Sequence, residues 1–86
     1  MKVYVPGLLT SYTQGANSVE ANGATLGELL ADLDRLYPGI RFRIVDEQDQ
    51  VRRHIRVFVK AVQVHAMSSP VGADDEVMIV GALSGG

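Results

Sequence analysis

The chain has 86 residues, of which 47% are hydrophobic and 21% charged, with a formal net charge of -2. That is enough chain for one domain with a modest core, and too much apolar content for a disordered segment. The absence of cysteine excludes disulfide frameworks, thiolate nucleophiles and cysteine-based zinc sites, and the slightly acidic balance speaks against a dedicated nucleic-acid binder. No apolar run reaches the ~18 residues of a membrane span. The opening MKVYVPGLLT, broken by Pro6 and Gly7, does not read as a secretory leader. The expectation is a small, soluble, cytoplasmic domain.

Lys2 to Val5 is rich in β-branched and aromatic residues and reads as a first strand. Pro6 and Gly7 interrupt it, and Leu8 to Tyr12 either continue it or form an irregular edge. Gln14 to Asn17 read as a turn and Ser18 to Ala21 as a returning strand. Thr25 and Glu28 then have the spacing of a capping box. Leu26, Leu29, Leu30, Leu33 and Leu36 or Tyr37 follow at helical spacing, which predicts a helix over about 26–37 ended by Pro38-Gly39. Ile40 to Val45 alternate as a short strand, or form a loop that pins Ile40, Phe42 and Ile44 into the core. Ile55 to Lys60 is a strong strand, with Ile55, Val57 and Val59 on one face and Arg56, Phe58 and Lys60 on the other. Val62 and Val64 suggest a brief return, and Val77 to Val80 a last strand.

Two hairpin-like halves thus flank one helix. Laying that helix on one face of a mixed sheet gives an α+β layer fold. Parallel pairing of the first and last strands at the centre makes it a β-grasp, or ubiquitin-like, roll. The sheet would have four to five strands packed on one main helix. Residues 1–80 form the domain, and 81–86 a flexible tail ending Gly-Gly.

Outside the core pattern the sequence offers little site chemistry. His54 and His65 are the only histidines and have no partner at metal-ligand spacing, so no metal site is expected. Asp46, Glu47 and Asp49 lack the spacing of a calcium loop. Ser84, on a tail with no fixed base, is not a nucleophile. Arg41, Arg43, Arg52, Arg53 and His54 make a locally basic middle that reads first as solvated charge and second as partner steering. No phosphate-cradling glycine loop is present. The chain reads as a non-enzyme that binds no cofactor of its own.

Five stretches together carry a resemblance. They are Thr25-Leu26-Gly27-Glu28-Leu29-Leu30, Tyr37-Pro38-Gly39-Ile40, Ile55-Arg56-Val57-Phe58-Val59, Asp75-Glu76-Val77 and the terminal Gly85-Gly86. In these the sequence resembles the MoaD/ThiS family of ubiquitin-like sulfur carriers, with its nearest look to the CysO-like branch. One departure stands out. Many members of the family carry Asn-Gly, or a similar pair, after the middle strand, where this chain has Lys60-Ala61-Val62-Gln63.

The resemblance implies a carrier and co-substrate. A partner of the MoeB/ThiF type would use ATP to adenylate the carboxylate of Gly86. A sulfur donor would convert the adenylate to a thiocarboxylate, and a sulfur-accepting biosynthetic enzyme would consume it. The product would be cysteine or another sulfur metabolite. Gly81, Ala82, Leu83, Ser84 and Gly85 would thread into the partner, and the lack of Cβ atoms in Gly85 and Gly86 suits a narrow channel. Two alternatives share the scaffold. One is the small subunit of molybdopterin synthase. The other is a ubiquitin-like modifier joined to lysines through Gly86. If Val77 and Ile79 face the helix, Phe58, Met78 and Val80 share the open sheet face, rimmed by Arg56 and Lys60. Such an apolar patch would suit a protein partner. Neither nucleic acid nor membrane is an expected partner.

Overall fold

The computed structural model describes residues 1–81. Its strands are β1 (Lys2–Tyr4), β2 (Ser18–Glu20), β3 (Ile55–Val59), β4 (Val62–Val64) and β5 (Val77–Gly81), and its helices α1 (Leu26–Leu36) and α2 (Ile40–Ile44). The strands form one sheet in the order β2-β1-β5-β3-β4. β1 and β5 run parallel at its centre, and every other pair is antiparallel. This is the expected roll. Among the described residues no helix is long and apolar enough to cross a membrane.

α1 forms where its spacing predicts. The Thr25 side chain accepts from the Glu28 amide at 3.2 Å, and the Glu28 carboxylate accepts from the Ala24 amide at 2.9 Å. Two further amides of the first turn find acceptors in the loop after β4: Leu26 N–H donates to Ser69 O and Gly27 N–H to Met67 O, both at 2.9 Å. Helix starts leave such donors unsatisfied, so the long 65–76 loop is stitched to α1 by need. Leu26, Leu29, Leu30 and Leu33 are fully buried against Val3, Val57 and Val77 of the sheet's inner face. Of the two candidates for the next core position, Tyr37 packs on the core and Leu36 faces outward.

Three segments differ from expectation. Leu8 to Tyr12 are no edge strand: Gly7–Leu9 form a 3-10 turn after Pro6, with Leu9 N–H donating to Pro6 O at 2.9 Å. The proline fixes an extended φ of -70° and its carbonyl then closes the turn, which buries Leu9.

Ile40 to Val45 are neither strand nor loop but the helix α2 with its C-cap. Gly39 turns the chain at φ 97°, and the Asp34 carboxylate accepts from the amides of Gly39 and Arg41, each at 3.1 Å. Ile40 and Ile44, four apart, are buried together. Phe42, expected inside, is 54% exposed and lies under the Arg52 guanidinium, 4.5 Å from the ring centre.

Gly81, placed in the tail by sequence reading, is the last residue of β5 and pairs with Ile55. It faces the inner side of the sheet, where the Leu8 side chain fills the space a Cβ would need.

The turn between β3 and β4 has only two residues, Lys60 and Ala61, because Val59 pairs with Val62. Both have positive φ, 53° and 67°. That is the signature of a type I′ hairpin turn, the kind usually filled by Asn-Gly. The departure at these positions changes the residues and keeps the turn.

Candidate functional site: the outer sheet face and the end of β5

The strand register decides which side chains meet on the outer face. Met78 of β5 pairs with Tyr4 of β1 on one side and Phe58 of β3 on the other, so the three form a row across the sheet. One step along, Val80 stands opposite Arg56. Met78 is 48% exposed, Val80 36%, and Phe58 half-buried. Their inward neighbours Val77, Ile79, Val57 and Val59 are buried, as the alternation predicts.

Tyr4, Phe58, Lys60, Ala61, Glu76 and Met78 line a shallow concavity of about 400 Å³. Its floor is apolar and its rim charged. The Tyr4 hydroxyl donates to a Glu76 carboxylate oxygen at 3.3 Å, and the Lys2 ammonium sits 5.1 Å from the centre of the Tyr4 ring. The Lys60 ammonium lies 3.8 Å from Asp75, whose carboxylate also accepts from the Gly72 amide at 2.7 Å. Arg56 turns back on its own strand, its guanidinium donating to the carbonyls of Arg53 (2.6 Å) and Ile55 (3.1 Å).

The five candidate docking residues are therefore on one side of the sheet. Phe58, Met78 and Lys60 share the concavity, with Val80 and Arg56 beside it. Sequence reasoning missed Tyr4, Ala61 and Glu76. Tyr4 was findable, since Lys2 and Tyr4 alternate with Val3 and Val5, and a buried Val3 puts Tyr4 outside. The other tail residues named from sequence, Ala82, Leu83, Ser84, Gly85 and Gly86, lie outside the described residues. Among the described residues no three His, Cys, Asp or Glu side chains gather as a metal site would require.

Two carboxylates elsewhere are held below their ordinary pKa. Asp32 accepts from the Asn22 amide and from Arg35, and Asp46 from the amides of Gln50 and Gln48. Both act in loop and helix-end structure, away from the sheet face.

A helix laid across a five-stranded mixed sheet, with the two chain-terminal strands parallel at its centre and an open apolar face beside them, defines a ubiquitin-like β-grasp protein. More narrowly, the chain belongs to the ThiS family, which it matches over residues 3–86. It is 32% identical to the sulfur carrier protein CysO of Mycobacterium tuberculosis over 89 residues, covering 98% of this chain and 96% of that one. The crystal structure of that CysO matches with a TM-score of 0.89 at 30% identity, over 95% of this chain and 98% of the other. The Amycolatopsis orientalis BexX/CysO complex contains a chain that matches at 0.90 and 34%, covering 99% and 98%. SAMP1 of Haloferax volcanii matches at 0.78 and 25%, covering 100% and 98%.

Proposed function

We propose that this chain is a sulfur carrier protein that works through the carboxylate of Gly86. A carboxylate is a poor electrophile. A MoeB/ThiF-type partner activates it: a carboxylate oxygen attacks the α-phosphorus of ATP, pyrophosphate leaves, and an acyl-adenylate results. Sulfur from a donor then displaces AMP and leaves a thiocarboxylate, which hands its sulfur to a biosynthetic enzyme. ATP and the catalytic groups belong to the partner, and this chain is the co-substrate. The observation that carries the reading is full-length likeness to CysO sulfur carriers within the ThiS family, with the family match running to Gly86. A CysO found in complex with BexX supports a protein partner for this chain as well.

The outer-face concavity is the proposed docking surface. Phe58→Ala and Val80→Asp should weaken binding of the activating enzyme while the fold persists, and unchanged adenylation kinetics in both would remove that assignment.

Intact mass tests the function itself. Protein purified from its native host is weighed before and after a thiol-directed alkylating agent. A species heavier by one sulfur-for-oxygen exchange that alkylates at Gly86 is the thiocarboxylate. Oxidised Met1, Met67 or Met78 would add nearly the same mass and would not alkylate. An unaltered acid, even with activating enzyme, ATP and sulfur donor supplied, would refute the carrier reading.

The likeness to SAMP1 favours a second use of the same adenylate, attack by a lysine ε-amine to give an isopeptide bond. Branched tryptic peptides carrying residues 61–86 on lysines of other host proteins would establish it, since no Lys or Arg follows Lys60.

A further inference from the structure

The end of the sheet at which β5 stops is lined by arginines and histidines. Because Gly81 pairs with Ile55, the segment just before β3 lies beside the point where the chain passes into residue 82. Two concavities lie near it, one across β3 and one beside Gly81. Arg52, Arg53, Arg56 and His65 line one, of about 330 Å³. Tyr12, Arg43 and His54 line the other, of about 200 Å³, together with Leu8, the residue packed on Gly81. Among the described residues neither is lined by a carboxylate.

Two of the three nearby acids are already engaged, and Glu47 forms no ion pair among the described residues. Asp49 pairs with Arg41 at 2.8 Å, and Asp46 accepts from loop amides within the field of Arg52. Arg43, Arg53 and Arg56 form no ion pair among the described residues. Arg43 is held by the Tyr12 hydroxyl at 2.7 Å, and Arg56 by backbone carbonyls. The acidic run Asp74-Asp75-Glu76 sits at the opposite end of β5, directly before Val77. A chain of net charge -2 thus carries an electropositive end where the tail begins.

We infer that this basic end is a docking rim for carboxylates around the channel mouth of the activating enzyme. The inference rests on the carrier reading above. Five residues, fully extended, span at most about 18 Å. An enzyme that holds the Gly86 carboxylate in a closed site must therefore bring its surface against the end of β5. Whatever lies on that surface meets Arg53 and Arg56. Covering cations with an uncharged surface costs their hydration, whereas carboxylates compensate it, orient the approach and speed association.

The test is steady-state adenylation by the MoeB/ThiF-type enzyme of the same host, with the full chain as variable substrate, at several ionic strengths. Arg53→Glu and Arg56→Glu should each raise KM about tenfold at low salt and leave kcat unchanged. The difference should shrink steeply as salt shortens the screening length to about 3 Å near 1 M. Arg35→Glu, on α1, makes the same charge change and should shift KM less than about twofold. Thermal melts confirm that each variant is folded. Arg53→Glu and Arg56→Glu both tracking Arg35→Glu at every ionic strength would overturn the inference with the carrier reading intact. Wild-type protein that is not adenylated at any salt would take down both. Salt-sensitive binding of a single-stranded oligonucleotide, lost in Arg53→Glu while adenylation is untouched, would assign the basic end to nucleic acid and overturn the proposal.

Discussion

Lys60 and Ala61 hold left-handed backbone without being glycine or asparagine, and substitution there should release strain. Their φ values are 53° and 67°. A residue with a Cβ gives up about 1 kcal/mol or more in that region, while glycine gives up nothing but loses about 0.5–1 kcal/mol of chain entropy on folding. Ala61→Gly alone should therefore be neutral to mildly stabilising. Lys60→Asn adds a residue whose short amide tolerates the conformation. The Lys60–Asp75 contact it removes is long, with the lysine side chain mostly in water, so its loss matters little. The double change Lys60→Asn/Ala61→Gly should gain about 1 kcal/mol, which for a domain of this size raises Tm by about 4–8 °C. Ala61→Val should move the other way by about 1–2 kcal/mol, since a β-branched residue fits positive φ worst. Thermal melts and urea titrations of the three proteins decide it. Wild-type stability in Ala61→Val, or a lower Tm in the double variant, would refute the strain argument.

Three other outcomes are expected. A Cβ on Gly23 would run into the backbone of Glu28 and Leu29, which helix geometry holds fixed, so Gly23→Ala should cost about 1–3 kcal/mol in urea denaturation. Asp34→Ala removes the acceptor shared by the Gly39 and Arg41 amides, and should cost about 1 kcal/mol, with faster hydrogen exchange confined to α2. For Asp32 and Asp46 the folded pKa lies below the ordinary value. Their stabilisation is therefore complete above about pH 4 and fades as pH falls through the lower folded value. In Asp32→Asn and Asp46→Asn the urea midpoint should depend less on pH below about 4 than it does in the wild type.

The elements legible in the sequence are those with a single period. The leucines of α1 fit only 3.6, and Ile55-Arg56-Val57-Phe58-Val59 fits only 2. Ile40-Arg41-Phe42-Arg43-Ile44 fits both, because positions four apart coincide in the two patterns. What decides it is an aspartate six residues upstream, together with a glycine at φ 97°. Gly81 was misread because a glycine in a terminal run looks like linker, while its strand pairing depends on Ile55, 26 positions earlier. The outer apolar face was legible by alternation through Phe58, Met78 and Val80. That Tyr4 faces outward was legible too, but its place beside Met78 depends on the parallel register of β1 and β5, which no local pattern encodes.

That central pairing also orders the molecule's birth. β5 is the last described element to leave the ribosome, and it is the strand on which both halves of the sheet hang. Until it emerges, β1–β2 and β3–β4 are separate hairpins, too small to be stable alone. Closing the sheet joins Val3 to Val77 across most of the chain, and contacts of such long range slow folding. A nascent chain therefore cannot complete its fold before Gly81 is made. A premature stop between β4 and β5 yields two exposed hairpins without a hub, prone to aggregate rather than to compete with the finished protein.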